Sequence, residues 1–302
     1  MTILPRRGGL ATLLHNPGAG EGDHQRNALE RLLQAQGFTV TATSTKAPNV
    51  AEVLALPADL YVLAGGDGSV GKMLRRLPDR SAPVAIVPLG TANNTATSLG
   101  LIGDPEALMV NLRDAAVRPF DIGCTAGPFG RCDVVEAVGL GALASTMALE
   151  PVGTKEENMA NGRRAFSEAL DATEPRELRL ILDGTAHCDA WLAVEVLNHG
   201  HAGPRLPLLP KVDLGDGMLD VLALTEAHRK PMQAWLKSDM KRRPPGLVLR
   251  ARRVRFDWDG ALPLRIDDKL QAPPADPSPI TITARSRTFD ILVPRDSGGH
   301  HG

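Results

Sequence analysis

Three apolar runs in the first 90 residues each end in a glycine-containing turn, and each turn leads into a helical pattern. The runs are LATLLH (10–15), LYVLA (60–64) and VAIVP (84–88), and the turns are NPGAG, GGDG and LGT. Continuous apolar strands that alternate with helices are typical of a parallel sheet with helices on both faces. Ligands of such sheets bind beyond the carboxyl ends of the strands, where these turns fall. We therefore predict an α/β domain over residues 1–120.

The sequence pattern changes after residue 120. Alternating strands dominate, and the run LRLIL (178–182), followed by Asp183-Gly184 and a further strand, is typical of a β-hairpin. Helical patterns interrupt the strands at 157–172 and 230–238. We predict an all-β antiparallel sandwich domain over residues 121–285. Whether the C-terminal segment 286–302 returns to the first domain stays open, and we expect its polar, glycine-rich end to be disordered.

Composition limits the class of protein. A length of 302 residues suits two domains, and a net charge of −1 gives no indication of a nucleic-acid partner. The three cysteines lack metal-ligand spacing, which is typical of reduced thiols in a cytosolic protein. No stretch resembles the apolar core of a signal peptide or a membrane span of about 20 apolar residues. We expect a cytoplasmic protein without a transmembrane segment, which meets any membrane only peripherally, at the inner surface.

The turn GGDG (65–68) has two interpretations. Glycines let backbone N–H groups approach an anion closely, and the helix that follows adds its positive end. Asp67 would repel a phosphate unless Mg²⁺ or a sugar hydroxyl lay between them, so we assign it to metal organisation or ribose contact. The alternative is an ordinary strand-to-helix turn in which Asp67 caps the helix, and Thr91 could likewise be a plain N-cap.

Six segments, in this order, resemble the diacylglycerol kinase/sphingosine kinase catalytic superfamily, specifically bacterial soluble lipid kinases. They are NPGAG (16–20), GGDGSV (65–70), PLGTANNTA (88–96), PFDIGCTAG (119–127), LNHGHAGPRLPLLPKVDLGDGMLDVLAL (197–224) and LRIDDKLQ (264–271). The turn NPGAG is neither a Walker A sequence nor an NAD fingerprint, because it lacks the residues of both motifs.

The resemblance implies a two-domain lipid-kinase/NAD-kinase-like fold with its site in the cleft between the domains. It also implies transfer of the γ-phosphoryl group of ATP to a hydroxyl of a diacylglycerol-like or related lipid, with Mg²⁺ as cofactor. By position, the implied ATP-binding residues are Asn16, Pro17, Gly18, Gly20, Thr45, Gly65, Gly66, Asp67, Gly68, Ser69, Gly71, Gly90, Thr91 and Asn94.

The resemblance also assigns the metal and the base. Asp216, with backbone carbonyls near Asp213 and Met218, would hold a structural Mg²⁺. Asp267 would be the general base, a role that Asp268 could share, while Asp67 would organise Mg²⁺ and water around the triphosphate.

The chain departs from the family pattern in two places. Asn94 stands where an acid is usual, and Asp268 and Lys269 replace a glycine and a glutamate beside the base. A catalytically weak nucleotide-binding homologue is therefore one open alternative. The other is NAD kinase-like phosphorylation of a soluble ribose hydroxyl, because that superfamily shares GGDG; the lack of an Asn-Glu pair in the middle of the chain counts against it.

Basic residues cluster late in the chain, at KRRPPG (241–246) and at Arg250, Arg252, Arg253 and Arg255. Alternate arginines on a strand are typical of a solvated face, and they also suit contact with anionic lipid headgroups. The partners expected are ATP and a lipid presented at a membrane surface, without nucleic acid. Whether the protein forms a homodimer stays open.

Overall fold

The computed structural model describes residue 4 and residues 8–110, 112–148 and 153–295. The chain divides into two compact units, of which unit 1 comprises residues 1–120 and 288–302 and unit 2 comprises residues 121–287. The predicted architecture of an α/β domain and an antiparallel β domain is confirmed. Most of the C-terminal end that we expect to be disordered, residues 296–302, lies outside the described residues.

Unit 1 contains a parallel sheet. Its strands are β1 (Leu10–His15), β2 (Thr39–Ser44), β3 (Leu60–Gly65) and β4 (Val84–Pro88). The strand order is β2–β1–β3–β4, with every pair parallel, and Ile291 and Leu292 add a further parallel pairing beside β4. All six residues of β3 are buried, which explains why this strand is apolar throughout rather than alternating.

Helices connect the strands of unit 1. They are α1 (Asp23–Ala35), α2 (Val50–Leu54), α3 (Asp67–Arg76) and α4 (Asn94–Ser98). Leu29 and Leu33 of α1, four residues apart, are fully buried in the same core as Val62 of the sheet.

Two helix predictions in unit 1 need correction. The helix expected from Thr91 begins at Asn94, because Asn93 adopts a left-handed backbone (φ 50°) and stands at its N-cap. The Asp-Pro start of DPEALMVNLRDA (104–115) likewise predicts an α-helix, but the structure has 3-10 turns at residues 107–109 and 112–114. Met109 is the buried residue of the first turn and Leu112 that of the second.

Unit 2 is built mainly from antiparallel strands. They are β5 (Ala116–Gly127), β6 (Gly130–Val134), β7 (Ala137–Gly141), β8 (Arg176–Leu182), β9 (Thr185–Leu197), β10 (Leu219–Thr225), β11 (Leu247–Ala251), β12 (Arg253–Trp258), β13 (Leu264–Ile266), β14 (Lys269–Leu270) and β15 (Ser278–Val293). β5 begins and β15 ends in unit 1. One path runs β14–β13–β7–β9–β8–β12–β15, β10 links β9 to β11, and β5 pairs with β6 and β15. The predicted hairpin joins β8 to β9 through Asp183 and Gly184.

Two apolar cores hold unit 2 together, one on each side of β10. Val221 and Ala223 face a core of strand residues, whereas Leu222 and Leu224 face a core shared with helices. The helices are α5 (Ala142–Ser145), α6 (Lys155–Ala172) and α7 (Arg229–Leu236). Alternate residues of a strand point to opposite faces, so the apolar sequence of β10 is explained by burial on both faces. None of the described helices has the length and apolarity needed to cross a membrane.

Candidate functional site

The three glycine turns of unit 1 lie at the carboxyl ends of neighbouring strands. Asn16 directly follows β1, Gly66 directly follows β3, and Leu89 directly follows β4, and these strands are adjacent in the order β1–β3–β4. Asn16 N donates to Ala64 O (2.9 Å) and Leu89 N donates to Gly65 O (3.0 Å). These backbone hydrogen bonds continue the β-ladder into the turns, so the turns lie side by side at one edge of the sheet.

Two of the turns touch through their glycines. A Cβ added to Gly90 would lie 2.5 Å from Gly66 Cα and 2.8 Å from Asn93 Oδ1. A Cβ added to Gly66 would lie 3.0 Å from Gly90 Cα. Gly90 has no room for a side chain, and a side chain at Gly66 would require the backbone of Gly90 to move by a few tenths of an ångström, so one backbone packs closely against the other.

Side-chain hydrogen bonds join the turns further. Asn16 Nδ2 donates to Ser69 Oγ (2.8 Å), which links the first turn to the second. Thr95 N donates to Asp67 Oδ1 (3.0 Å), which links the second to α4. Asn93 closes the third turn on itself, since its Oδ1 accepts from Gly90 N and its Nδ2 donates to Gly90 O, both at 2.9 Å.

Asp67 is the first residue of α3, directly after the N-cap Gly66. Its carboxylate accepts a backbone N–H from α4, so it does more than cap its own helix. The start of a ten-residue helix is a region of positive backbone potential. A half-buried carboxylate at that point can organise a cation or a hydroxyl beside an anion.

The other predicted nucleotide residues differ in exposure. Thr45 and Asn94 are buried, at 5% and 2% exposed, and Gly71 is buried within α3. Pro17, Gly18, Gly20 and Gly68 are exposed, and Asn16, Ser69, Gly90 and Thr91 are half-buried. Gly65 is buried at the end of β3. The exposed residues are accessible to a ligand, whereas Thr45, Gly71 and Asn94 are buried.

Asp267 lies in unit 2, at the two-residue turn of the β13–β14 hairpin. It has a left-handed backbone (φ 50°), which Asp tolerates better than most residues. Its carboxylate accepts three backbone N–H groups, from Val135 (3.0 Å), Glu136 (2.7 Å) and Ala137 (3.1 Å). The side chain is buried and rigidly held, whereas its neighbours Asp268 and Lys269 are exposed.

A buried ion pair lies next to the β13–β14 turn. Arg265 is fully buried, and its Nη2 donates to Glu195 Oε2 (2.6 Å) while its Nη1 donates to Asp267 O (2.9 Å) and lies 3.4 Å from Glu136 Oε1. Burial raises the pKa of Glu195, and the adjacent Arg265 opposes that shift. A Cβ on Gly139 would lie 2.6 Å from both Arg265 Nε and Glu195 Oε1, so this glycine makes room for the pair.

The residues assigned to a structural Mg²⁺ lie together in the loop before β10. Asp213 Oδ1 accepts from Gly215 N (3.0 Å) and Asp216 Oδ1 accepts from Met218 N (2.9 Å). The other oxygen of Asp216 is bound by the guanidinium of Arg250. Among the described residues, no three His, Cys, Asp or Glu side chains group as a metal site. A cation on Asp216 would lie beside the positive charge of Arg250, and the metal assignment stays a prediction.

Two histidines follow β9. His199 is fully buried and His201 is half-buried. Burial is the main cause that lowers the pKa of His201 to about 4, and His199 and Arg205 lower it further. His201 is therefore neutral at physiological pH.

Sequence reasoning missed Arg265, Glu195 and Asn93. The first two are opposite charges inside otherwise apolar strand segments, LRI and AVEVL, and that combination was a readable signal of a buried pair. For Asn93, the signal was an Asn directly before the start of a helix.

The chain matches two family descriptions. Residues 10–125 match the diacylglycerol kinase catalytic domain, and residues 139–285 match the YegS C-terminal NAD kinase beta sandwich-like domain. Similar curated proteins include diacylglycerol kinases of two bacteria. The Bacillus subtilis protein is 28% identical over 235 residues, covering 72% of this chain and 74% of its own length. The Mycobacterium tuberculosis protein is 26% identical, covering 95% and 96%.

Solved structures show the same fold. A diacylglycerol kinase from Bacillus anthracis superposes with a TM-score of 0.70 at 18% identity, covering 94% of this chain and 97% of that one. Yeast NADH kinase complexed with NADH superposes with a TM-score of 0.51 at 11% identity, covering 99% and 90%.

Proposed function

The chain belongs to the diacylglycerol kinase catalytic superfamily, and from that premise we propose that it is an ATP- and Mg²⁺-dependent lipid kinase. It transfers the γ-phosphoryl group of ATP to a hydroxyl of a diacylglycerol-like lipid. The bond from γ-phosphorus to the bridging oxygen of ADP breaks, a bond to the lipid oxygen forms, and the hydroxyl proton passes to a carboxylate.

The single observation that supports this proposal most is the joining of three glycine turns at one edge of the unit 1 sheet. The Gly66–Gly90 contact packs the backbone of two turns together, and the side-chain hydrogen bond from Asn16 to Ser69 joins the remaining turn to them. Phosphoryl transfer depends mainly on positioning and charge neutralisation, which such a backbone cradle provides. We assign the triphosphate to these turns and its cation to the neighbourhood of Asp67. The cation, when bound with ATP, would supply charge neutralisation at the phosphates.

Asp267 is our candidate for the carboxylate that accepts the proton. Three backbone donors hold it in one orientation, which a base requires, but hydrogen bonds of this kind also favour its ionised form and weaken it as a proton acceptor. Asp268 is exposed and next in the chain, so it is the candidate that could share the role.

We further propose that the protein acts at a membrane surface, peripherally and from the cytoplasmic side. A cavity of about 590 Å³ in unit 2 is lined by apolar residues such as Leu209 and Val248, by five basic side chains that include Lys211, Arg242 and Arg243, and by the three acids Asp213, Asp216 and Asp220. The basic side chains outnumber the acidic ones, and together with the apolar wall they suit a phospholipid headgroup and the start of its acyl chains. Each basic residue near an anionic surface adds about 1 kcal/mol to binding.

The test is a phosphorylation assay with the purified full chain, labelled ATP and Mg²⁺. The acceptors are diacylglycerol and other hydroxyl lipids in phosphatidylglycerol-containing vesicles, and NAD in solution. A labelled lipid that depends on Asp267 but not on exposed Asp257 would support the proposal, with Asp257→Asn as the matched control. Label on NAD alone would favour the NAD kinase-like alternative.

ATP binding without any product would identify a catalytically weak nucleotide-binding homologue. Because Asp267→Asn also disturbs three hydrogen bonds, its thermal unfolding is measured beside its activity. An inactive variant that unfolds at the wild-type temperature places the carboxylate in the chemistry. Lipid phosphorylation at the wild-type rate by both Asp267→Asn and Asp268→Asn would exclude both as the base.

A further inference from the structure

The loop before β10 concentrates negative charge. Asp213, Asp216 and Asp220 fall within eight residues. The side chains of Asp216 and Asp220 are only 23% and 10% exposed. Partly buried carboxylates at close quarters need a counter-ion, because desolvation and mutual repulsion would otherwise oppose folding.

Arg250 supplies that charge from the neighbouring strand. It lies on β11 directly opposite Asp220 in the antiparallel ladder with β10. Its Nε is 3.1 Å from Asp220 Oδ1, and its Nη2 binds Asp216 Oδ2. One guanidinium thus bridges both carboxylates. Arginine suits this role because its fork of donors is planar and its charge is permanent.

Hydrogen bonds also hold the backbone of the loop before β10. Gly217 N donates to Asp121 Oδ2 (2.6 Å), and Asp121 N donates to Leu214 O (2.7 Å). Asp216 has one oxygen on Met218 N and the other on Arg250. A divalent ion takes oxygen ligands at about 2.0–2.6 Å, so an ion on Asp216 would lie next to the fixed positive charge of Arg250 and be repelled by it.

We propose that Arg250 is the built-in counter-ion of this loop and takes the place of the structural divalent cation that the sequence resemblance assigns to Asp213, Asp216 and Met218. The folded loop then needs no metal. Removing the guanidinium should turn the same carboxylates into a cation-binding loop. This inference concerns stability and is independent of the proposed phosphotransfer.

The experiment is thermal unfolding of the nucleotide-free full chain in EDTA and in millimolar Mg²⁺ or Ca²⁺. We expect the Tm of the wild type to be the same in each condition. Arg250→Met keeps most of the side-chain volume but removes the charge, and its Tm in EDTA should fall by about 2–6 °C. Mg²⁺ or Ca²⁺ should restore at least half of that loss.

Arg255→Met is the matched control, since Arg255 is an exposed strand arginine for which the described residues show no ion pair. Its Tm should respond to cations as the wild type does. If Arg250→Met does not fold, the wild type and Arg250→Lys, which keeps the charge, decide the question: both should be insensitive to Mg²⁺. A saturable rise of several degrees in the wild-type Tm with Mg²⁺, or an Arg250→Met that responds no more than the wild type, would overturn the proposal.

Discussion

Substituting Gly90 by alanine tests whether close contact between two turns creates the candidate nucleotide site. The new Cβ would lie 2.5 Å from Gly66 Cα, against an ordinary contact distance of 3.4 Å or more. The turns must therefore separate by about 0.9 Å, because the obstacle is backbone and cannot rotate away. Gly90 does not have a positive φ, so the cost comes from this clash and not from backbone conformation.

The expected magnitude follows from the displacement. Overpacking of this kind costs about 1–3 kcal/mol of unfolding free energy, which corresponds to a fall in Tm of about 2–12 °C. A misplacement of about 1 Å within a catalytic site can cost about 100-fold in rate. We therefore expect a moderate loss of stability and a larger loss of ATP affinity and activity.

Urea unfolding and ATP titration of Gly90→Ala measure the two effects. Gly18→Ala is the control for stability, since its Cβ would lie 3.4 Å from the flexible end of Lys46 and 3.6 Å from Asn16 Oδ1, within ordinary contact. It should change the free energy of unfolding by less than about 0.5 kcal/mol. If Gly90→Ala unfolds and binds ATP like the wild type, the turn contact does not position the nucleotide and the reasoning fails.

Three further predictions follow from other contacts. Asp67→Asn keeps an acceptor for its hydrogen bond to α4, so Tm should be nearly unchanged while activity falls about 100-fold; unchanged activity would leave Asp67 with a structural role only. Gly139→Ala places Cβ against Arg265 and Glu195 and should cost about 2–4 kcal/mol in urea unfolding, and a loss below about 0.5 kcal/mol would contradict the buried-pair geometry. Since the pKa of His201 falls from 6.5 to about 4 on folding, the unfolded chain binds a proton that the folded chain does not between those pH values. Stability should thus decline by about 1–2 kcal/mol as pH falls through that window, and His201→Gln should lessen the decline; equal pH slopes would refute the assignment.

The elements that the sequence predicts best are those specified by local patterns. The apolar run of β3 is long enough to mark a doubly buried strand, and Asp183-Gly184 marks the β8–β9 hairpin without reference to the rest of the chain. The two-domain fold followed from the change between these patterns near residue 120. Local signals suffice there because period and turn chemistry act over a few residues.

Contacts between residues that are far apart in the sequence could not be predicted from local patterns. The proximity of Gly66 to Gly90 depends on strand order, which no local pattern specifies. The pairing of Arg265 with Glu195, 70 positions apart, depends on how β13, β7 and β9 align. The role of Arg250 was missed for a related reason, because a charged residue on a strand resembles a solvated one until its cross-strand neighbour is known.

The return of the chain to unit 1 at residue 288 affects the order in which the protein can be completed during synthesis. Unit 2 is inserted between β4 and the final pairing of Ile291 and Leu292 with Val84 and Ala85. On the ribosome, β4 therefore waits with an unpaired edge while residues 121–287 emerge, and unpaired edges invite association with other chains. The inserted unit must bring its own ends close together before the sheet of unit 1 can be finished. Nascent chains of this protein should thus gain their last protection against aggregation only when the C-terminal strand has left the exit tunnel.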